Sequence, residues 1–134
     1  MVGNESNAIG NTRVLADALQ MYNMVYMKYP TDWQDDMYTN AEPDFGPSRF
    51  NMKMSTPAGP ISGYLYSYRE YPANATGSDV VGFRLMIYPS NYLTTGTRTI
   101  FATEDGVIHH CVGEGASIWN ASAYPTINEP PTNC

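Results

Sequence analysis

The chain has 134 residues, 43% of them hydrophobic and only 15% charged, and its net charge is -6. That length suits one domain with a modest core. Seven scattered Lys and Arg residues cannot form the clustered basic face that phosphates need, so no nucleic acid is expected as a partner.

Residues 1–29 read as one helix. Ala8, Thr12, Leu15, Leu19, Tyr22 and Tyr26 recur at spacings of three and four, a seam of small and apolar groups on one face. Ile9, Ala16 and Met27 widen it. Pro30 disfavours helical geometry at Tyr29 and sets the end.

Residues 30–60 keep no sustained period and carry Pro30, Pro43, Pro47, Pro57 and Pro60. They read as a long loop after the helix. Such a loop is usually functional or packed down by its own side chains. Trp33, Tyr38, Phe45 and Phe50 are available for that packing.

From Ser62 the period becomes two. "SGYLYSYREY", "VVGFRLMIYP", "TGTRTIFAT" and the shorter "GVIHHC" read as strands of an antiparallel meander over residues 61–112. The tail, residues 113–134, is rich in Ser, Asn, Pro and Gly and reads as loop. The expected fold class is α+β, with a long helix packed on three to four antiparallel strands in one domain.

Two cysteines, Cys111 and Cys134, are present. So sparse a pair is either a disulfide or two free thiols. A terminal cysteine has little reason to exist unless something ties it down, so a disulfide closing the tail is expected. It would contribute about 3 kcal/mol in the chain-entropy model and require an oxidising compartment. No run reaches the roughly 18 apolar residues that span a bilayer. The triplets Asn4-Glu5-Ser6, Asn74-Ala75-Thr76 and Asn120-Ala121-Ser122 match the N-x-S/T glycan acceptor, a motif common by chance.

The phrases "NESNAIGNTRVLADALQMYNMVYMKYP", "GYLYSYRE" and "GFRLMIYPSNYLTTGTRTIFATEDGVI", followed by the Cys111/Cys134 pair, together resemble the globular half of a type IV pilin or type II secretion pseudopilin. The resemblance covers most of the chain and is weakest over residues 31–60. It implies a structural subunit of an extracellular filament on the cell surface, exported through the periplasm, and not an enzyme. Its partners would be other pilin subunits, as a homopolymer or with a short helix-only pilin chain. Such proteins open with an apolar half-helix, which is not seen here. The resemblance therefore implies a trimmed or a split pilin, touching membrane only through that missing segment. It also divides the helix. Leu15, Leu19, Tyr22 and Tyr26 would pack on the sheet. Ala8, Ile9, Gly10 and Thr12 would form an assembly interface, with Ala8, Ile9 and Gly10 beyond the sheet's edge.

Other chemistry is less well supported. Glu104-Asp105-Gly106 reads as a hairpin turn, because Asp-Gly suits positive φ. His109 and His110 are adjacent on a strand and point to opposite faces, so they cannot easily share a metal. His109 and Cys111 lack a third ligand for zinc. A Cys/His nucleophilic pair would need a free thiol. Asp32, Asp35, Asp36, Glu42 and Asp44 could hold calcium, as a pseudopilin loop would, although their order is not that of an EF-hand. No cofactor motif is present, and a small secreted enzyme or binding module is the remaining alternative.

Overall fold

The computed structural model describes residues 2–114 and 120–134, apart from the side chain of Val2. A 25-residue helix, α1 (Val2–Tyr26), packs on one face of a six-stranded sheet. The strands are β1 (Ala58–Ile61), β2 (Tyr64–Tyr71), β3 (Gly82–Pro89), β4 (Arg98–Thr103), β5 (Ile108–Val112) and β6 (Thr132–Asn133). They lie in chain order across the sheet. All neighbours are antiparallel except β5 and β6, which are parallel.

The α+β class is as expected, but six strands replace the three or four expected. The additions are the two edges. β1 falls mostly inside the segment read as loop, and β6 inside the tail, whose residues 115–119 lie outside the described ones. Both strands are short, and neither buries a face. Without a buried face there is no period of two to read, and short, blunted strands are how sheets commonly end.

The central strands show why the alternation was legible. Tyr64, Tyr66, Tyr68, Phe83, Leu85, Ile87, Ile100, Ala102 and Ile108 join the core beneath α1. Met86, Phe101 and Cys111 face the other way and are covered by Ala121 and Tyr124 of the tail. The Phe101 and Tyr124 rings are stacked, with centroids 5.2 Å apart. From the helix, Leu15 and Leu19 are fully buried. Each large side chain buried this way is worth about 1.5–3 kcal/mol.

The helix stops at Tyr26, before Pro30 requires it. Met27 takes a left-handed φ of 59°, and the Tyr29 N–H then donates to the Val80 carbonyl at 3.0 Å. The following loop is held by its own aromatics. The Trp33 indole N–H donates to the Phe50 carbonyl at 2.8 Å, and the Tyr38 hydroxyl donates to the Pro47 carbonyl at 2.7 Å. Phe45 meets the edge of Tyr22, with ring centroids 5.2 Å apart.

Candidate functional site

The helix runs along β4. At one end Glu5 meets Thr97 and Arg98; at the other, the Gln20 amide donates to the Glu104 carbonyl at 2.9 Å. Glu5 is 9% exposed. Its carboxylate accepts from the Thr97 N–H at 3.0 Å, the Thr97 hydroxyl at 3.1 Å and Arg98 Nε at 2.9 Å. Burial opposes its charge, but the Thr97 N–H, the Arg98 guanidinium and the Thr97 hydroxyl outweigh burial and hold the carboxyl below its ordinary value. Asn4 adds a bond from its side-chain amide to the Thr95 carbonyl at 3.1 Å.

These ties revise the expected assembly interface. Ala8 and Thr12 are buried, at 1% and 0% exposure, and the Thr12 hydroxyl donates to the Ala8 carbonyl at 2.7 Å. Ile9 is half-buried and packs against the core. Of that set only Gly10 is exposed. The physical reason is the reach of the β4 end, which carries the sheet up to the first turns of the helix. Leu15, Leu19 and Tyr22 lie in the core as expected. Tyr26 does not: it is half-exposed and rests on Tyr22 and Phe45, not on the sheet.

The opposite face of the helix was not singled out from the sequence. Val14, Met21, Met24 and Val25 are 42%, 59%, 81% and 61% exposed. Val14, Met21 and Val25 are spaced by seven and four, so they share one outward stripe. Gly3 and Gly10 continue it, and open space surrounds both. Tyr26 and Met27 extend the apolar exposure at the helix end. Beside the stripe, Met21, Val25, Tyr26, Pro43 and Phe45 line a cleft of about 340 Å³, with Glu42 and Asp44 at its rim. The signal was present in the sequence as a second period, hidden because Gly3, Asn7, Gly10 and Asp17 interrupt its hydrophobicity.

The residues at the far end of the sheet are structural. Cys111 and Cys134 form a disulfide with Cα atoms 5.5 Å apart, across 23 residues. His109 and His110 point to opposite faces, as expected of strand neighbours. His109 Nδ1–H donates to the Tyr124 carbonyl at 2.7 Å, on the tail side. His110 Nε2–H donates to the Glu129 carbonyl at 2.8 Å, and its Nδ1 accepts from Arg98 Nη1 at 3.2 Å. Both rings tie down the tail. In the hairpin, Gly106 has φ 75°, and the Val107 N–H donates to Asp105 Oδ1 at 2.9 Å.

The acidic loop uses its carboxylates locally. Asp36 Oδ2 accepts from the Thr31 and Asp32 N–H groups at 2.9 and 3.3 Å, and Asp32 Oδ2 accepts from the Asp35 N–H at 2.8 Å. Asp32, Asp35 and Asp36 thus close a turn, while Glu42 and Asp44 sit apart at the helix cleft. Among the described residues no three His, Cys, Asp or Glu side chains converge as a metal-binding group, and no helix is long and apolar enough to cross a membrane.

Comparison with protein-family models, with curated proteins and with solved structures gave no match.

Proposed function

We propose that this chain is the globular domain of a type IV pilin-like filament subunit, assembled through the outward face of α1. The observation that carries the reading is the two-sidedness of that helix. One face is buried under the sheet, and the other holds Val14, Met21, Met24 and Val25 in solvent. Exposed apolar side chains gathered on one side of a helix mark an interaction surface more often than the same groups scattered singly. Gly3 and Gly10 add room for close approach of another backbone.

The element order also supports it. A long first helix, an irregular loop, an antiparallel meander and a disulfide-closed tail follow one another as in the pilin-like phrases of the sequence. The disulfide suits a non-reducing compartment, consistent with export to the cell surface. The partners are the helices of like subunits. The apolar segment anchoring them is either continuous with α1 or carried on a separate short chain.

The test is a pair of charges on the stripe, Met21→Lys with Val25→Lys. The folded domain should keep its melting temperature, because neither side chain belongs to the core. Filaments should vanish from electron micrographs of cells that otherwise assemble them. Normal filaments from the double variant would overturn the assignment of this face.

A further inference from the structure

Three triplets in the chain have the form Asn-x-Ser/Thr, and the fold treats them differently. Asn4 lies inside α1, half-buried, with its side-chain nitrogen donating to the Thr95 carbonyl at 3.1 Å. Its helical backbone and its committed amide remove it as an acceptor. Asn120 is exposed, and its side-chain oxygen accepts from the Ser122 hydroxyl at 2.8 Å. It adjoins residues outside the described ones.

Asn74 stands at the turn that leaves β2, and its surroundings are described on both sides. It is exposed and takes a left-handed φ of 65°. That conformation is one that asparagine tolerates better than most residues, so the backbone alone would account for Asn74. It does not account for Thr76. Thr76 is exposed and extended, with φ -133° and ψ 158°. It occupies the position before a short 3-10 helix (Gly77–Asp79), yet its hydroxyl makes no capping bond. The Asn74 backbone N–H donates to Glu70 Oε1 at 3.2 Å, but among the described residues neither the Asn74 side-chain amide nor the Thr76 hydroxyl has a hydrogen-bond partner, while the intervening Ala75 packs against the core. Neither Ala75 nor Gly77 is proline, so nothing bars the triplet from an enzyme's groove. A shallow cleft lined by Ser55, Arg69 and Glu70 opens beside Asn74, with room for a first sugar to lie against the protein.

We propose that Asn74 is the acceptor of an N-linked glycan. The side-chain nitrogen attacks the anomeric carbon of a saccharide carried on a lipid diphosphate. The carbon–nitrogen bond forms as the bond from that carbon to the diphosphate oxygen breaks. The amide gives one proton to a base of the transferring enzyme, and the lipid diphosphate leaves. The Cys111–Cys134 disulfide is consistent with the non-reducing, exported side of a membrane, where such transfer occurs. The proposal does not depend on the filament reading, since no residue of α1 lines the cleft beside Asn74.

The experiment uses protein purified from its native cells. Trypsin cuts after Arg69 and after Arg84, so Asn74 is isolated in one peptide, Glu70–Arg84. That peptide should carry added hexose or hexosamine mass, and an amidase for N-linked glycans should convert Asn74 to Asp. Asn74→Gln and Thr76→Ala should each abolish the addition, and Thr76→Ser should retain it. The peptide containing Asn4 should keep its unmodified mass. A Glu70–Arg84 peptide seen only at its unmodified mass would overturn the proposal. So would a sugar that survives Asn74→Gln but not Thr76→Ala, because it would be linked to the hydroxyl.

Discussion

Glu5 and Arg98 are 93 residues apart in the chain, yet the Glu5 carboxylate accepts from Arg98 Nε at 2.9 Å. The pair latches the first turns of α1 onto the start of β4. Arg98 is also bonded to His110, and His110 to the Glu129 carbonyl, so the latch reaches from the helix through two strands to the tail.

Glu5→Gln should therefore destabilise the domain by about 2 kcal/mol at neutral pH, the scale of a hydrogen bond to a charged group. The carboxyl is held below its ordinary value of 4.5. A depressed value means that the stabilisation is complete above pH 4.5 and is lost as pH falls through the folded value. Denaturant midpoints measured down an acid series should fall less steeply in the variant. Identical acid profiles would show that the latch contributes nothing.

Leu19→Asp should unfold the domain, since it places a carboxylate in a fully buried apolar site. Ile9→Lys, at a half-buried position packed on the core, should cost about 1 kcal/mol, a fraction of full burial. Gly10→Ala should be neutral or slightly stabilising, as open space surrounds it in the helix. Circular dichroism melts would rank the three. Unfolding by Ile9→Lys as severe as by Leu19→Asp would contradict the partial exposure of Ile9.

Cys134→Ser should lower stability by about 3 kcal/mol, from the 23-residue separation that the bond closes. It should also release β6, which is two residues long and at the sheet edge. Amide exchange at Cys134, whose N–H donates to the Val112 carbonyl, should accelerate most. Unchanged exchange there would mean that the strand pairing holds the tail by itself.

His110 should be the neutral tautomer protonated at Nε2, because a guanidinium can only donate to Nδ1 and a carbonyl can only accept from Nε2. Ring nitrogen chemical shifts distinguish this from the other tautomer. His109 should carry a proton on Nδ1, facing the Tyr124 carbonyl.

The buried tyrosines set an alkaline limit. Burial, with Asp36 nearby, pushes the Tyr22 hydroxyl from 10 up to about 12. Burial also raises Tyr64, Tyr66 and Tyr68. A raised value means that each holds its proton more tightly when folded. Their contribution is complete below pH 10 and is lost as pH rises through the folded values. Ultraviolet titration should show an early exposed class of tyrosines and a later one that ionises together with unfolding. A single class at the ordinary value would contradict their burial.

Local pattern determined much of this protein. The spacing of three and four from Ala8 to Tyr22 marked one side of a helix, and the alternation through Tyr64, Tyr66 and Tyr68 marked strands. Asp105-Gly106 marked the turn, and the isolated cysteine pair pointed to the disulfide. Each is a consequence of neighbours within a few residues, or of simple scarcity. The tertiary structure decided how far along its axis the helix is covered. Periodicity reports which side of a helix is buried, but Ala8 and Tyr26 have equal standing in the same stripe. A helix of this length spans about 37 Å, whereas an eight-residue strand spans about 26 Å, so one end must overhang the sheet. Read from the sequence, the overhang falls at Ala8, Ile9 and Gly10. The Glu5–Arg98 pair and the β4 end bring those turns onto the sheet instead, and the excess falls at Tyr26 and Met27. No local pattern could place it there, because the deciding contact joins side chains 93 residues apart.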